Sequence, residues 1–239
     1  MKNLLKRTFK LKESNCTVIT DKEQAITAAI ESIRLNRKQL EGYIKTNPKF
    51  LVSLVPIQIP AEPLVAKLMA EAAEKAGVGP MAAVAGVLAD LAVESMVSKG
   101  SEVAVVENGG EISVSSKESV DVAVAAGDEP LSKRFGFRLT KFPIGVATSS
   151  GRFSHALSFG DAEAVTVFCS NAGLADAAAT AIGNIVKGED PEAAIQSGIK
   201  KAQTIQGVEG TIVLFKSSIG TWGKIPQIIK INSDSRAQE

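Results

Sequence analysis

Residues four apart stack on one face of a helix, and Asp176, Thr180 and Asn184 stand four apart within the segment 171–184. Leu174, Ala178, Ala181 and Ile185 fill the remainder, so one oxygen-bearing stripe interrupts an apolar cylinder. A carboxylate one turn from a hydroxyl offers two hard oxygen ligands to Mg²⁺, which completes its octahedron with waters and substrate phosphates. The alternative is a narrow solvent-facing stripe on an Ala-rich helix. A second candidate is the run from Gly145 to His155, where a strand enters Thr148, Ser149, Ser150 and Gly151. Free backbone N–H groups in such a loop cradle a phosphate or another anion, although the same string also makes a plain turn. No Gly-Lys-[Ser/Thr] is present, so it is not a Walker loop. His155 is the only imidazole, and it shares alternation parity with Phe153, Leu157 and Phe159, as a half-buried strand residue would. A Ser-His-Asp hydrolase is poorly matched, because no Gly-x-Ser-x-Gly elbow occurs. The third candidate is Asn108-Gly109-Gly110-Glu111, which a hairpin turn needing positive φ explains without any ligand. Cys169, among Val165, Val167 and Phe168, reads as a buried small hydrophobe.

The rest of the chain restricts the chemistry further. The 239 residues carry 27 Lys+Arg against 26 Asp+Glu, which argues against a dedicated nucleic-acid protein or a binder of anionic membranes. Aromatic residues make up only 5%, too few for base-stacking platforms. With two Cys and one His, zinc fingers and multi-His metal centres are excluded by counting. Carboxylates, hydroxyls, backbone dipoles and one imidazole remain. The basic start of the chain lacks an apolar stretch of signal-peptide length. Apolar runs such as 81–91 are cut by Asp90 and Glu94 short of about 18 residues. Cys16 and Cys169 fit two reduced thiols, a bridge between them being the alternative. A cytoplasmic protein with no membrane span is expected.

These residues need elements to hold them. Residues 7–20 alternate as an entry strand or hairpin, and Thr20-Asp21-Lys22-Glu23 has capping-box spacing ahead of Ile26, Ile30, Ile33, Leu40 and Ile44. Prolines 48, 56 and 60 break the pattern, and a short amphipathic helix fits 63–76, stopped by Gly77. Residues 79–94 are apolar nearly all round, which places that helix inside the protein. A hairpin follows over 103–115, turning at Asn108-Gly109-Gly110. Alternation at Val120, Val122 and Val124 and at Phe135, Phe137 and Leu139 predicts strands, with more at 154–159 and 164–169. Helices are expected over 172–187 and 190–206, then strands at 211–216 and 227–231 joined through Gly220-Thr221-Trp222-Gly223. Clustered helices and strands without βαβ alternation indicate an α+β fold, with mixed or antiparallel sheets packed around central small-residue-rich helices. One domain over 1–239, with a frayed polar tail at 232–239, is expected.

The three candidate segments also occur in a familiar order: a Gly-Gly-acidic turn, then Gly145-Val146-Ala147-Thr148-Ser149-Ser150-Gly151 leading to Ser154-His155, then Ala175-Asp176-Ala177-Ala178-Ala179-Thr180-Ala181. This resembles the ApbE-like superfamily, whose best-known members are FAD:protein FMN transferases once linked to thiamine biosynthesis. The match is closest to a shorter archaeal and anaerobic branch. The resemblance implies that Asp176 and Thr180 correspond to the magnesium-binding pair. It implies that Asn108, Gly109, Gly110 and Glu111 form the turn near the flavin, with Glu in place of Asp. Thr148, Ser149, Ser150 and Gly151 are similar to the family's Ala-Thr-Ser-Gly loop, and His155 to the catalytic-site His that follows it. FAD or FMN with Mg²⁺ is the implied cofactor set, and an acceptor protein the implied partner, since the transferases pass an FMN moiety to a Thr or Ser hydroxyl.

The departures matter equally. The transferases show Gly-x-x-x-Lys-Gly-Tyr-Ala-x-Asp before the turn, whereas residues 79–90 lack both the Lys and the Tyr. Their Asp-Pro-x-Thr-Gly after the His is replaced by Ala156-Leu157-Ser158-Phe159-Gly160-Asp161. Two readings follow: a Mg²⁺-assisted pocket for a flavin or another phosphorylated ligand, extending to FMN transfer, and a non-transferase accessory or binding protein in anaerobic sulfur or cofactor metabolism. A homodimer built through sheet edges is a third, with apolar richness as its sole support.

Overall fold

The computed structural model describes residues 4–59, 62–123, 135–149 and 160–230. Eight antiparallel strands form the main sheet in the order β1-β2-β3-β4-β7-β8-β9-β10, and three more form a second sheet in the order β11-β6-β5. The strands are β1 (Leu5–Leu11), β2 (Ser14–Thr20), β3 (Val103–Asn108), β4 (Glu111–Ser116), β5 (Val120–Ala123), β6 (Phe135–Leu139), β7 (Ile144–Ser149), β8 (Ala164–Cys169), β9 (Val208–Phe215), β10 (Ser218–Gly223) and β11 (Gln227–Lys230). The helices are α1 (Glu23–Thr46), the single turn α2 (Lys49–Val52), α3 (Leu64–Ala76), α4 (Val84–Ser98), α5 (Ala172–Gly183) and α6 (Pro191–Thr204). The expected α+β class with antiparallel sheets is what the chain adopts.

Strand alternation sorts the core into two sides. Val103, Val105, Ile112, Val114, Val146 and Phe168 face the small sheet, where Val122, Phe137 and Leu139 meet them. Ala104 and Val106 point the other way and pack with α1 and α4. Ala147, Val165, Val167 and Cys169 do the same against α5. The molecule is thus layered: helices, main sheet, small sheet. The central helices α4 and α5 cross where neither has a side chain. A Cβ on Gly86 would stand 2.2 Å from the Ala172 carbonyl oxygen, and one on Gly173 would stand 2.5 Å from Val87 Cγ2. Residues Pro80–Ser98, a 3-10 turn leading into α4, span 19 residues and contain an 18-residue window of mean hydropathy 1.6, long and apolar enough to cross a membrane. In this fold α4 is instead a core element, with Val87, Leu88, Ala89, Ala92 and Met96 buried.

Three local expectations are corrected. Thr20 and Asp21 do not form a capping box. Lys22 is the N-cap residue without a side-chain cap, while Asp21 Oδ1 accepts from Ser101 Oγ, Glu102 N and Val103 N at 2.9, 2.9 and 3.1 Å. Thr20, the side chain that would cap, is engaged as well, its Oγ1 lying 2.6 Å from Ser101 Oγ, so a loop 80 or more residues away takes both side chains from the helix start. Asn108 is not a turn residue: it ends β3 opposite Glu111, and the positive φ values belong to Gly109 and Gly110. The segment 220–223 is part of β10, not a link. Gly220 leaves room there for Ile195 of α6, which would lie 2.2 Å from a Cβ. As expected, Gly77 at φ 77° closes α3 and Asp190 with Pro191 opens α6, whereas α5 ends at Gly183, short of the expected 187. The strand expected at 154–159 and the tail at 232–239 lie outside the described residues.

Candidate functional site

The site grows from the α4–α5 crossing. A helix leaves its first N–H groups without internal partners, and each of these helices has its start closed by the other's carboxylate. Asp90 of α4 accepts from Ala172 N and Gly173 N at 2.9 and 2.8 Å, while Ser113 Oγ of β4 donates to it at 2.7 Å. Asn171 Oδ1 takes Leu174 N at 2.8 Å, completing the cap of α5. In return, Asp176 Oδ2 of α5 accepts from Gly86 N at 3.0 Å at the start of α4. Both helix N-termini are therefore closed by side-chain carboxyl oxygens.

The β3–β4 turn adds to this crossing. Asn108 Nδ2 donates to the Ala85 carbonyl at 3.0 Å, and its Oδ1 accepts from Cys16 Sγ at 3.4 Å. On β4 alternation puts Glu111 on the same face as Ser113, toward the helices. Asp176, Glu111 and Asp90 keep some exposed surface, yet burial dominates their titration. Burial first, and the nearby Glu111 charge second, hold the Asp176 carboxyl well above the usual range, against N–H groups of Gly86 and Ala85 that favour its anion. Burial pushes Glu111 up to about 7, with Glu107 adding to it. Asp90 is raised by burial and held back by Ser113, Ala172 and Gly173. Two interacting carboxylates with no basic side chain paired to them among the described residues form a proton-holding pocket.

Thr180 follows Asp176 by one helical turn and lines a cleft of about 810 Å³ together with Asn184 and Lys201. The donor set is hard oxygen throughout and suits Mg²⁺. Among the described residues no group of three His, Cys, Asp or Glu gathers. A cation here would take side-chain oxygen from Asp176 and Thr180, with Glu111 nearby, and complete its shell from carbonyls, water or phosphate.

The strand-loop segment sits differently. Thr148 and Ser149 end β7 and pair with Thr166 and Val165 of β8. Thr148 Oγ1 lies 3.0 Å from Thr166 Oγ1. Thr148 shares parity with Val146, so it faces the small sheet, away from the side that carries Asp176. Ser150, Gly151 and His155 lie outside the described residues. Both cysteines are free and buried, and burial pushes each thiol up to about 12. In the sequence Asp90 reads only as an acid that interrupts an apolar run and closes the segment 79–90. An acid inside such a run was the available signal, because a buried carboxylate must find donors.

This layered α+β architecture is that of solved ApbE proteins. The chain superposes on the apo flavinyl transferase ApbE of Pseudomonas stutzeri with a TM-score of 0.58 at 14% identity, covering 92% of this chain and 94% of that one. It superposes on the ApbE protein of Thermotoga maritima with a TM-score of 0.55 at 11% identity, covering 98% of each. The chain itself belongs to the family described as "AbpE bacteria", whose profile matches residues 3–206. It is 40% identical over 225 residues to a UPF0280 protein of Methanopyrus kandleri, covering 92% of this chain and 91% of that one. A UPF0280 protein of Methanocaldococcus jannaschii is also 40% identical, over 230 residues, with 94% and 93% covered.

Proposed function

We propose that this chain binds a flavin nucleotide, or a closely related phosphorylated ligand, with Mg²⁺ at Asp176 and Thr180, and that its reaction is FMN transfer to a protein hydroxyl. The observation that carries this is the Asp176–Glu111 carboxylate pair at the α4–α5 crossing, one turn from a hydroxyl that opens onto a ligand-sized cleft. The fold shared with flavinyl transferases of known structure supports the reaction class. In that reaction the acceptor oxygen attacks the FMN phosphorus of FAD, the pyrophosphate bridge breaks, AMP leaves, and the hydroxyl proton is released to a base or to water. Bound Mg²⁺ would neutralise charge on the pyrophosphate. The chain's own contribution is positional: the capped helix pair fixes Asp176 and Thr180 on one rigid face before any ligand arrives.

The absence of the Lys and Tyr in residues 79–90 favours a second reading, a flavin or nucleotide binder that does not transfer. A sulfur-carrying form of that reading is opposed by the two buried thiols. The readings share a first test. FAD with Mg²⁺ is expected to raise the melting temperature of the wild type by several degrees, because a ligand specific to the folded state stabilises it. The shift should disappear in Asp176→Asn. A wild type that responds to neither FAD nor FMN, with or without Mg²⁺, overturns the proposal. Native mass spectrometry of a co-expressed acceptor, looking for a covalent FMN adduct, then separates transfer from binding.

A further inference from the structure

The cleft beside Thr180 is bounded by α2 and the segment after it, the C-terminal end of α3, the 3-10 turn before α4, and the second half of α5. Its volume of about 810 Å³ falls in the range of small-molecule sites. Its walls are largely aliphatic, and several wall residues are left bare: Val52 is 71% exposed, Leu54 56% and Leu51 50%. Lys201, reaching in from α6, is the one charged side chain among the described residues of the lining, which include no carboxylate. Among the described residues Lys201 has no ion-pair partner.

An anion entering this region has few places to go. The N-terminus of α5 is taken by Asp90 and Asn171, and that of α4 by Asp176. Helix dipoles and free backbone N–H groups, the usual anion receptors, are thus occupied at the crossing. Lys201 has one competing use. Its Nζ would lie 3.5 Å from a Cβ on Gly77, at the end of α3 where unpaired carbonyls favour a cation. That contact accounts for the sign of the residue but not for the bare apolar walls around it.

We infer that this cleft binds an organic anion with a flat or aliphatic apolar body, and that Lys201 is the residue that selects its charge. The inference deepens the proposed function by locating the body and the charge of the ligand, and it rests on that reading for the ligand's identity as a flavin. The preference for an apolar anion can be tested without flavin. 8-Anilinonaphthalene-1-sulfonate and N-phenyl-1-naphthylamine share one ring system and differ by the sulfonate. In fluorescence titrations Lys201→Met should weaken the sulfonate about tenfold or more, the worth of a charge-assisted contact, and leave the neutral amine within about twofold. Lys201→Arg should retain the discrimination, and Leu54→Ala should weaken both probes alike. Should Lys201→Met fail to fold, the wild type decides the matter: added NaCl should weaken the sulfonate and spare the amine. A folded Lys201→Met with an unchanged ratio of the two affinities overturns the inference and leaves Lys201 as a cap for α3. Leu54→Ala without effect on either probe overturns it as well. Discrimination through Lys201 in a protein that shows no thermal response to FAD and Mg²⁺ would uphold the cleft's selectivity while removing the flavin.

Discussion

Glu111 and Asp176 keep protons that ordinary carboxyls give up. Burial pushes Glu111 from 4.5 to about 7, and its charge helps to hold Asp176 high in turn. Between about 4.5 and 7 the folded chain therefore binds more protons than the unfolded one, and stability falls as pH rises through that window. This is the reverse of the trend that salt-bridged carboxylates impose. The melting temperature of the metal-free wild type should drop from pH 5 to pH 7.5, and Glu111→Gln should flatten the curve by removing one titrating group and relieving Asp176. Mg²⁺ at pH 7.5 should recover part of the loss in the wild type. A curve just as steep in the variant would place the titrating group elsewhere. At this scale the shared helix face of Asp176 and Thr180 was legible, because spacing by four follows from helix geometry alone. Glu111 was legible only as part of a turn, and Asp90 not as a site residue, since its partners Ala172 and Gly173 stand 82 and 83 residues away.

The two helices hold the site because they nearly touch. Gly86 meets the backbone of residues 172 and 173, and that approach lets Asp176 reach Gly86 N while Asp90 reaches Ala172 N and Gly173 N. Gly86→Ala decides between two effects of opposite sign. Helix propensity favours Ala by about 1 kcal/mol. Against it, the new Cβ would stand 2.2 Å from a backbone carbonyl oxygen that no rotamer change can move. Separating the helices then strains the reciprocal caps as well as the packing, and overpacking alone costs about 1–3 kcal/mol. The net result should be destabilisation of roughly 1–3 kcal/mol in urea unfolding, with a weakened thermal response to FAD and Mg²⁺. A variant as stable as the wild type would show that the crossing is not under this constraint. The elements themselves were largely readable from apolar periodicity and from Gly and Pro punctuation. Two of the exceptions, the capping box at Thr20 and the glycine-bearing strand β10, share a cause. In each, a distant partner supplied what local pattern could not: loop 101–103 for Asp21 and α6 for Gly220.

The molecule as a whole separates the site from much of its stability. Strand β4 divides its side chains between two layers, Ser113 toward Asp90 on the helix side, Ile112 and Val114 toward Phe137 on the other. Phe137 is fully buried, and its ring meets Phe168 edge-on at 4.9 Å between centroids. No polar atom of the acid pocket takes part in that layer, and the layering itself was not foreseeable from a sequence in which both sheets read as similar alternating strands. Removing the Phe137 ring should cost about 3–5 kcal/mol, as large-to-small changes in a packed core do. If the layers are energetically independent, Phe137→Ala lowers the melting temperature at every pH by a similar amount. Its pH slope between 5 and 7.5 then stays parallel to that of the wild type, because the proton-holding pair is untouched and distant sites add. If β4 instead transmits the loosening of one face to the other, Glu111 gains solvent, its carboxyl returns toward 4.5, and the slope shrinks as it does in Glu111→Gln. Thermal scans of the wild type, Phe137→Ala, Glu111→Gln and the double variant distinguish the two outcomes. Parallel curves for the first pair and additive shifts for the double variant are expected, since the sheet between the layers keeps Phe137 and the acid pocket on opposite faces.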